Sequence, residues 1–180
     1  MSIIDEILKE VTDVVLKVDE EELIEIVNIL KKENPIFIDG EGRSGFQGKS
    51  FAMRLMHIGY NSYVMGETIT PSLKKDNIYF AISGSGTTKN TLNNAKSAKA
   101  LGLKVIAVTS KKGSPLEDIS DLRLIVPGKV KGDKEESSIQ LLSSLFDQGV
   151  HIILDYLCLL LSRKDNFTNK EALKNHVNVE

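Results

Sequence analysis

The stretch DNIYFAISGSGTTKNTLNNAKSAKALGLKVIAVTS (residues 76–110) carries the strongest signal for the fold of this chain. Its two short apolar runs, DNIYFAIS and KVIAVTS, have the length and composition of buried strands. Between them, TTKNTLNNAKSAKALG predicts a helix that stops at Gly102. A strand, a helix and a second strand in this order predict two parallel strands joined by a helical crossover.

The same alternation extends in both directions along the chain. PIFID and NSYVMG predict two strands upstream, separated by the helix SGFQGKSFAMRLMHIG, and LRLIVPG predicts a fifth strand downstream. We therefore expect an α/β fold, namely a three-layer α/β/α sandwich with a five-stranded, mostly parallel sheet of flavodoxin-like type.

Helices flank this core at both ends of the sequence. Residues 1–33 carry two amphipathic stripes and predict two N-terminal helices, with Asp19 as N-cap of the second and Glu22 at its capping-box position. IQLLSSLFDQGVHIILDYLCLLLSR predicts one long helix, apolar on most sides, which a second subunit would naturally bury. We expect one domain over residues 1–180, with residues 139–180 contributing to oligomer contacts.

Composition argues against several classes of function. A chain of 180 residues with 41% hydrophobic residues is typical of a globular domain, and its net charge of −2 gives no reason to expect nucleic-acid or membrane binding. The single cysteine, Cys158, precludes an intrachain disulfide and indicates a buried packing residue. No leader pattern opens the chain, and the apolar stretch 149–161 is short for a bilayer span, so we expect a cytoplasmic protein.

Two loops rich in glycine and hydroxyl groups follow predicted strands and open predicted helices. The GEGRSG loop (residues 40–45) has its glycines in the G-x-G-x-x-G spacing of dinucleotide sites. The SGSGTT loop (residues 83–88) combines glycines, which allow close backbone approach, with four hydroxyl groups, and it lacks the lysine of a Walker loop. Ligands of open parallel sheets bind beyond the carboxyl ends of the strands, which is where both loops fall.

Each loop admits two interpretations. The SGSGTT loop favours phosphate binding, because six consecutive small or hydroxyl residues exceed what a helix cap needs; the alternative is a turn in which Thr87 or Thr88 caps the helix. The GEGRSG loop alone leaves a dinucleotide site open, since Glu67 stands near the place of the ribose-binding acid. Arg43 and Ser44 speak against it, because cofactor loops usually carry small apolar residues there.

Taken in order, these motifs resemble the sugar isomerase (SIS) domain family, and within it the 6-phospho-3-hexuloisomerases. The similarity lies in GEGRSG with KSFAMRLMHIG, in VMGETITP, in SGSGTT, and in LFDQ and NHVNVE, where the family has L-F-E-Q and a terminal H-x-N-L. It extends from about Leu23 to the end of the chain. The resemblance implies a five-stranded parallel α/β sandwich, usually a tetramer, that needs no metal and no nucleotide cofactor.

The resemblance also implies an activity, the interconversion of D-arabino-hex-3-ulose 6-phosphate and D-fructose 6-phosphate in formaldehyde fixation. A proton moves between C2 and C3 through an enediol(ate), which requires a base near the carbons and donors facing the oxygens. A hexulose-phosphate synthase is the implied pathway partner. The alternatives are an isomerase of the arabinose-5-phosphate or heptulose-phosphate type, and a sugar-phosphate sensor, which normally carries a helix-turn-helix domain.

Residue roles follow from the same resemblance. Arg43 would reach the phosphate or the sugar oxygens, or else fix its loop through a salt bridge. Asp147, one methylene shorter than the family glutamate, and Glu67 compete as the base. His176, from a neighbouring subunit, would assist ring opening or proton transfer, or else lie in a solvated tail. His57 is a further catalytic candidate, and its alternative is a cationic or hydrogen-bonded helix end. The residues that would hold the phosphate are Ser44, Ser83, Gly84, Ser85, Gly86, Thr87 and Thr88.

One segment departs from the family pattern. Where the family reads P-M-G-[ST]-x-F-E-Q, residues 141–148 read LLSSLFDQ, without the proline and the glycine. We therefore expect the long helix to begin earlier and to pack differently over the sugar, with consequences for the rate or for the substrate.

Overall fold

The apolar runs identified in the sequence form the strands of one sheet. A computed structural model describes residues 2–179, and within them five strands lie in the order β2-β1-β3-β4-β5, with every neighbouring pair parallel. The strands are β1 (Ile36–Gly40), β2 (Ser62–Val64), β3 (Ile78–Ile82), β4 (Lys104–Thr109) and β5 (Leu122–Ile125). The predicted α/β class and parallel sheet are confirmed.

The order of the strands places the two glycine-rich loops side by side. β1 and β3 are neighbours although β2 falls between them in the chain, so the direction of sheet growth reverses at this pair. Their register pairs Gly40 with Ile82 at the carboxyl ends of the two strands. The GEGRSG and SGSGTT loops therefore leave the sheet together, at the switch point where open α/β sheets bind ligands.

Helices cover both faces of the sheet. Those described within residues 2–179 are α1 (Ile3–Val15), α2 (Glu20–Ile29), α3 (Gly42–His57), α4 (Lys89–Ala100), α5 (Pro115–Ile119), α6 (Ser144–Lys164) and α7 (Asn169–Lys174), with a 3-10 turn at Glu135–Ser137. Side chains that alternate along the strands divide the core in two. Ile36, Ile38 and Phe80 face the helices α1, α2, α3 and α6, whereas Phe37 and Tyr79 face α4 and α5. Because both faces are covered, the strands are apolar without interruption.

The long helix α6 starts later than predicted. It begins at Ser144 with Ser143 as its N-cap residue, and Leu142 before it has a φ of +52°, in the left-handed region that interrupts a helix. The expectation that loss of proline and glycine would let the helix begin earlier is therefore wrong. Residues 141–143 form a turn, and the backbone N–H of Lys131 donates to Ser143 Oγ at 3.0 Å.

Much of α6 belongs to the core of the described chain. Length and composition alone would let this 21-residue helix cross a bilayer, but 56% of its apolar window is buried within the fold, as in the core helix of a globular protein. Cys158 is buried there, as expected, and burial raises the pKa of its thiol. The outer face of the helix is mixed, because His151 and Asp155 are exposed there beside the exposed Ile152 and Leu159.

The second N-terminal helix begins as predicted, but one of its acids has a different role. The Asp19 carboxylate caps α2 by accepting a hydrogen bond from the Glu21 N–H at 2.9 Å. Glu22 does not complete a capping box. Its carboxylate accepts hydrogen bonds from Arg123 Nε at 2.8 Å and from the Ile125 N–H at 2.9 Å, and so it fastens α2 to β5.

Candidate functional site

A cavity of about 580 Å³ opens at the carboxyl ends of β1 and β3, a volume typical of small-molecule sites. Three parts of the chain form its walls: the start of α3, the SGSGTT loop, and the connection between β5 and α6. The lining residues are Glu41, Arg43, Ser44, Gly84, Ser85, Thr87, Thr88, Val130, Lys131, Gly132, Leu142, Ser143 and Asp147.

The glycines of the GEGRSG loop bring the start of α3 back onto the end of β1. A Cβ atom on Gly45 would lie 2.5 Å from the carbonyl oxygen of Gly40, so this approach of backbone to backbone requires glycine. Glu41 is the N-cap residue of α3 but makes no side-chain cap, and its Oε1 accepts a hydrogen bond from Asn90 Nδ2 at 3.1 Å. The first turn of α3 thereby presents Arg43 and Ser44 to the cavity.

The hydroxyl groups of the SGSGTT loop are paired with one another. Ser83 Oγ lies 2.8 Å from Thr88 Oγ1, and Ser85 Oγ lies 2.9 Å from Thr87 Oγ1. Thr88 is the N-cap residue of α4, yet its side chain makes no cap hydrogen bond, so the simple capping interpretation does not account for this loop. Hydroxyl groups at a helix start, where backbone N–H groups lack intrahelical partners, suit an anion.

Two predicted residues of this loop, Ser83 and Gly86, do not line the cavity but support the loop from its buried side. Ser83 is buried, and its carbonyl oxygen accepts a hydrogen bond from the Gly86 N–H at 3.0 Å. Gly86 has a φ of +64°, and a Cβ atom there would collide with Ser114. Gly84 does line the cavity, and a Cβ atom on it would lie 2.6 Å from Val130 Cγ1.

Asp147 provides a buried carboxylate at the cavity. It lies in the first turn of α6 with 1% of its side chain exposed, and it accepts hydrogen bonds from Arg43 Nε at 3.0 Å and Ser44 Oγ at 3.2 Å. Burial raises the pKa of Asp147, while the bonds from Arg43 and Ser44 act in the opposite direction without overcoming it. An acid with a raised pKa is suited to accept and return a proton near neutral pH.

Glu67 lies outside this cavity. It follows β2 at the edge of the sheet, is half exposed, and its Oε1 lies 2.7 Å from Lys49 Nζ. Within one chain, the structure brings Asp147 together with the SGSGTT loop and leaves Glu67 apart.

The two histidine candidates lie at the other end of α3. This helix has 16 residues and is therefore about 24 Å long, with Arg43 in its first turn and His57 at its end. The His57 and His176 rings stack with their centroids 5.1 Å apart. Burial, together with the nearby Arg54 and His176, lowers the pKa of His57. Neither histidine lines the cavity of its own chain.

Sequence reasoning missed the wall formed by the β5–α6 connection. GKVKGDKEES reads as a polar linker, yet Val130, Lys131 and Gly132 line the cavity together with Leu142 and Ser143. The signal was available, since this segment follows the carboxyl end of a strand in the same sheet. As for metals, no group of three or more His, Cys, Asp and Glu side chains able to hold an ion occurs within the part of the chain described.

Comparison with known proteins places these features in a family context. Residues 29–151 match the family model of the SIS domain. A Bacillus subtilis protein named 3-hexulose-6-phosphate isomerase is 35% identical over 97% of this chain and 96% of its own length. A Mycobacterium gastri protein of the same name is 33% identical, over 95% and 86%. A Methanococcus jannaschii protein, whose crystal structure infers a molecular function of 3-hexulose-6-phosphate isomerase, aligns with a TM-score of 0.82, 32% identity and 98% coverage of both chains.

Proposed function

The chain belongs to the SIS domain family, and we propose that it is an isomerase that interconverts D-arabino-hex-3-ulose 6-phosphate and D-fructose 6-phosphate. The observation that carries this proposal is the buried carboxylate of Asp147 in the same cavity as the SGSGTT loop. One end of such a cavity suits a phosphate and the other a proton transfer at carbon. The B. subtilis and M. gastri relatives, which carry the name of this isomerase over nearly all of the chain, support the same substrate.

The phosphate binds at the SGSGTT loop. Ser85, Thr87 and Thr88 line the cavity beside the start of α4, where helix geometry favours an anion. Hydroxyl protons rotate freely, so groups that now bond to one another can turn towards phosphate oxygens without a change of backbone. Ser44 supplies a further hydroxyl from the start of α3, and Ser83 and Gly86 hold the shape of the loop.

Asp147 is the base. From the hex-3-ulose it takes the proton on C2, the O2 hydroxyl proton passes to O3, and Asp147, after its proton has exchanged with solvent, delivers a proton to C3 to give the 2-ulose. Charge builds on the sugar oxygens in the enediolate between these two transfers. Arg43, a cation already within hydrogen-bond distance of Asp147, is positioned to stabilise that charge.

A homo-oligomer, in the family a tetramer, completes the proposal. Large apolar side chains stay exposed on the outer faces of α3 and α6, namely Phe46, Met53, Met56, Ile152 and Leu159. Such a surface favours contact with a second subunit, including the residues 139–180 expected there. Through that contact, the His57–His176 pair of one chain would approach the cavity of another. We place the enzyme in the cytoplasm, next to a hexulose-phosphate synthase in the pathway.

The proposal is tested with fructose 6-phosphate in deuterated water, followed by NMR. The expected result is deuterium at C3 together with formation of the hex-3-ulose, without added metal or nucleotide. Absence of both exchange and hexulose would reject the proposal. Arabinose 5-phosphate serves as the matched substrate control, since turnover of it alone would point to a different phosphosugar isomerase. Thermal stabilisation by fructose 6-phosphate and not by NAD is expected from the same cavity.

A further inference from the structure

Lys131 is a cation at the cavity that no motif identified. It lies in the connection between β5 and α6, in the stretch Val130, Lys131 and Gly132 that forms one wall. Of the lining residues that the structure describes, Arg43 and Lys131 are the two cationic ones. The anionic ones are Glu41 and Asp147, so the charges of the lining cancel.

The neutral net charge of the lining depends on Lys131, because the Arg43 guanidinium is already paired with Asp147. Arg43 Nε lies 3.0 Å from the Asp147 carboxylate, whereas the Glu41 carboxylate has the neutral Asn90 as its partner. A phosphate monoester adds a charge of about −1.5 to −2 at neutral pH. Without Lys131, two anions and one cation would leave the lining net negative before the phosphate enters, and Coulomb repulsion would oppose binding.

Contacts of Lys131 and of its neighbour Val130 fix this backbone against the start of α6 and against the SGSGTT loop. Its N–H donates to Oγ of Ser143, the N-cap residue of α6, at 3.0 Å. Next to it, Val130 packs against Gly84 of the SGSGTT loop so closely that a Cβ atom on Gly84 would lie 2.6 Å from Val130 Cγ1. The Lys131 side chain itself is exposed. An ammonium group on a flexible stem, anchored beside the phosphate loop, can move onto an anion as it enters.

We propose that Lys131 binds the phosphate group of the substrate from the wall formed by the connection between β5 and α6. This role rests on the proposed function, in that it assumes a phosphorylated ligand in this cavity. The SGSGTT hydroxyls and the helix start supply neutral donors, and Lys131 adds a stronger, charge-assisted hydrogen bond to the phosphate dianion.

The test compares Lys131→Met with Lys134→Met, a lysine of the same connection that does not line this cavity. For Lys131→Met we expect the KM for fructose 6-phosphate to rise about tenfold to hundredfold, with kcat within about threefold of wild type. Competitive inhibition by inorganic phosphate weakens in parallel. Lys134→Met leaves both quantities unchanged, and Lys131→Arg restores part of the affinity. A Lys131→Met enzyme with KM and phosphate inhibition within about twofold of wild type overturns the inference, as does a fall in kcat at unchanged KM.

A second measurement separates this inference from the proposed function. Binding of inorganic phosphate is measured by calorimetry on wild type and both variants, with circular dichroism to verify the fold, and needs no turnover. If wild type shows no isomerase activity but its phosphate binding depends on Lys131, the proposed function fails and the role of Lys131 stands. If wild type is active and Lys131→Met binds phosphate as wild type does, the role of Lys131 fails and the proposed function stands.

Discussion

Arg43 Nε lies 3.0 Å from Asp147 Oδ2, so a cation with 61% of its side chain exposed is paired with a carboxylate of which 1% is exposed. Burial raises the pKa of Asp147, and the hydrogen bond and charge of Arg43 restrain that rise. The exposed partner therefore adjusts the basicity of the buried one, and removal of Arg43 leaves burial to act with less opposition.

Replacement of Arg43 by Gln should shift the pH dependence of catalysis. With the guanidinium gone, the pKa of Asp147 rises further, so the acidic limb of kcat/KM, where Asp147 must lose its proton, moves to higher pH. We expect a shift of up to about one pH unit, measured in the free enzyme by the pH profile of kcat/KM. Lys49→Gln, which breaks the exposed pair with Glu67 outside the cavity, is the control and leaves the limb in place. An acidic limb unmoved in Arg43→Gln contradicts the coupling.

Asp147 should also make the stability of the fold depend on pH in a defined direction. The pKa of Asp147 is higher in the folded state than in the unfolded state. The stabilisation that comes from its protonation is therefore complete below the unfolded-state pKa of about 4. That contribution is lost as pH rises through the folded-state pKa. The free energy of unfolding of wild type should therefore fall relative to that of Asp147→Asn as pH rises from about 4 to 7, in urea titrations at each pH. Parallel stability curves for the two proteins would show that the carboxylate is not strained by burial.

The parallel sheet and both loops could be predicted because their signals are local. An apolar run such as IYFAI is buried on both faces and needs no partner to be recognised, and the SGSGTT loop follows it directly. Placement of the loops at one cavity needed only the rule that parallel strands end at the same edge. The meeting of Asp147 with Arg43, about a hundred residues apart in sequence, was accessible only through the family resemblance.

The features that were predicted wrongly, or not predicted at all, depend on tertiary contacts. Glu22 has the spacing of a capping box, but its carboxylate instead accepts hydrogen bonds from Arg123 and from a strand N–H. Leu142 occupies a left-handed conformation that leucine disfavours, so no propensity would have ended the helix there. Lys131 lies in a segment without periodicity, and only the folded chain shows that it faces the cavity.

Gly128 should be essential to the packing of α6. A Cβ atom at this position would lie 2.5 Å from Phe146 Cα and 2.6 Å from Phe146 N, which are backbone atoms that cannot swing away. Gly128→Ala is expected to lower the free energy of unfolding by about 1–3 kcal/mol, seen as a lower urea midpoint, because it displaces the first turn of α6. Gly113→Ala is a control in open space, where only the positive φ of 76° is penalised, by about 1 kcal/mol. If Gly128→Ala were as stable as wild type, the close packing at Phe146 would be contradicted.

Glu10 should couple the N-terminal helix to the wall of the site. Its carboxylate accepts hydrogen bonds from Ser138 Oγ at 2.8 Å, the Ile139 N–H at 2.9 Å and Gln140 Nε2 at 3.1 Å, just before the turn at Leu142. We expect Glu10→Ala to cost about 1–3 kcal/mol in urea unfolding, against little for Glu6→Ala on the same helix.

The contribution of Glu10 should also depend on pH. Burial acts to raise its pKa, but the three hydrogen bonds hold the pKa of Glu10 below its ordinary value. The stabilisation is therefore present above the unfolded-state pKa and is lost as pH falls through the folded-state pKa. The stability gap between wild type and Glu10→Ala should narrow in acid. A gap that stays constant down to low pH would mean that the carboxylate charge contributes nothing.

Solvent exchange at a single carbon shows whether Asp147 moves the proton. Wild type, Asp147→Asn and Glu67→Gln are each incubated with fructose 6-phosphate in deuterated water, and deuterium at C3 is followed by NMR. We predict that Asp147→Asn loses exchange by about 10²–10⁴-fold while inorganic phosphate still binds, and that Glu67→Gln exchanges within a few-fold of wild type. Exchange retained in Asp147→Asn, or lost in Glu67→Gln alone, would contradict the assignment of the base.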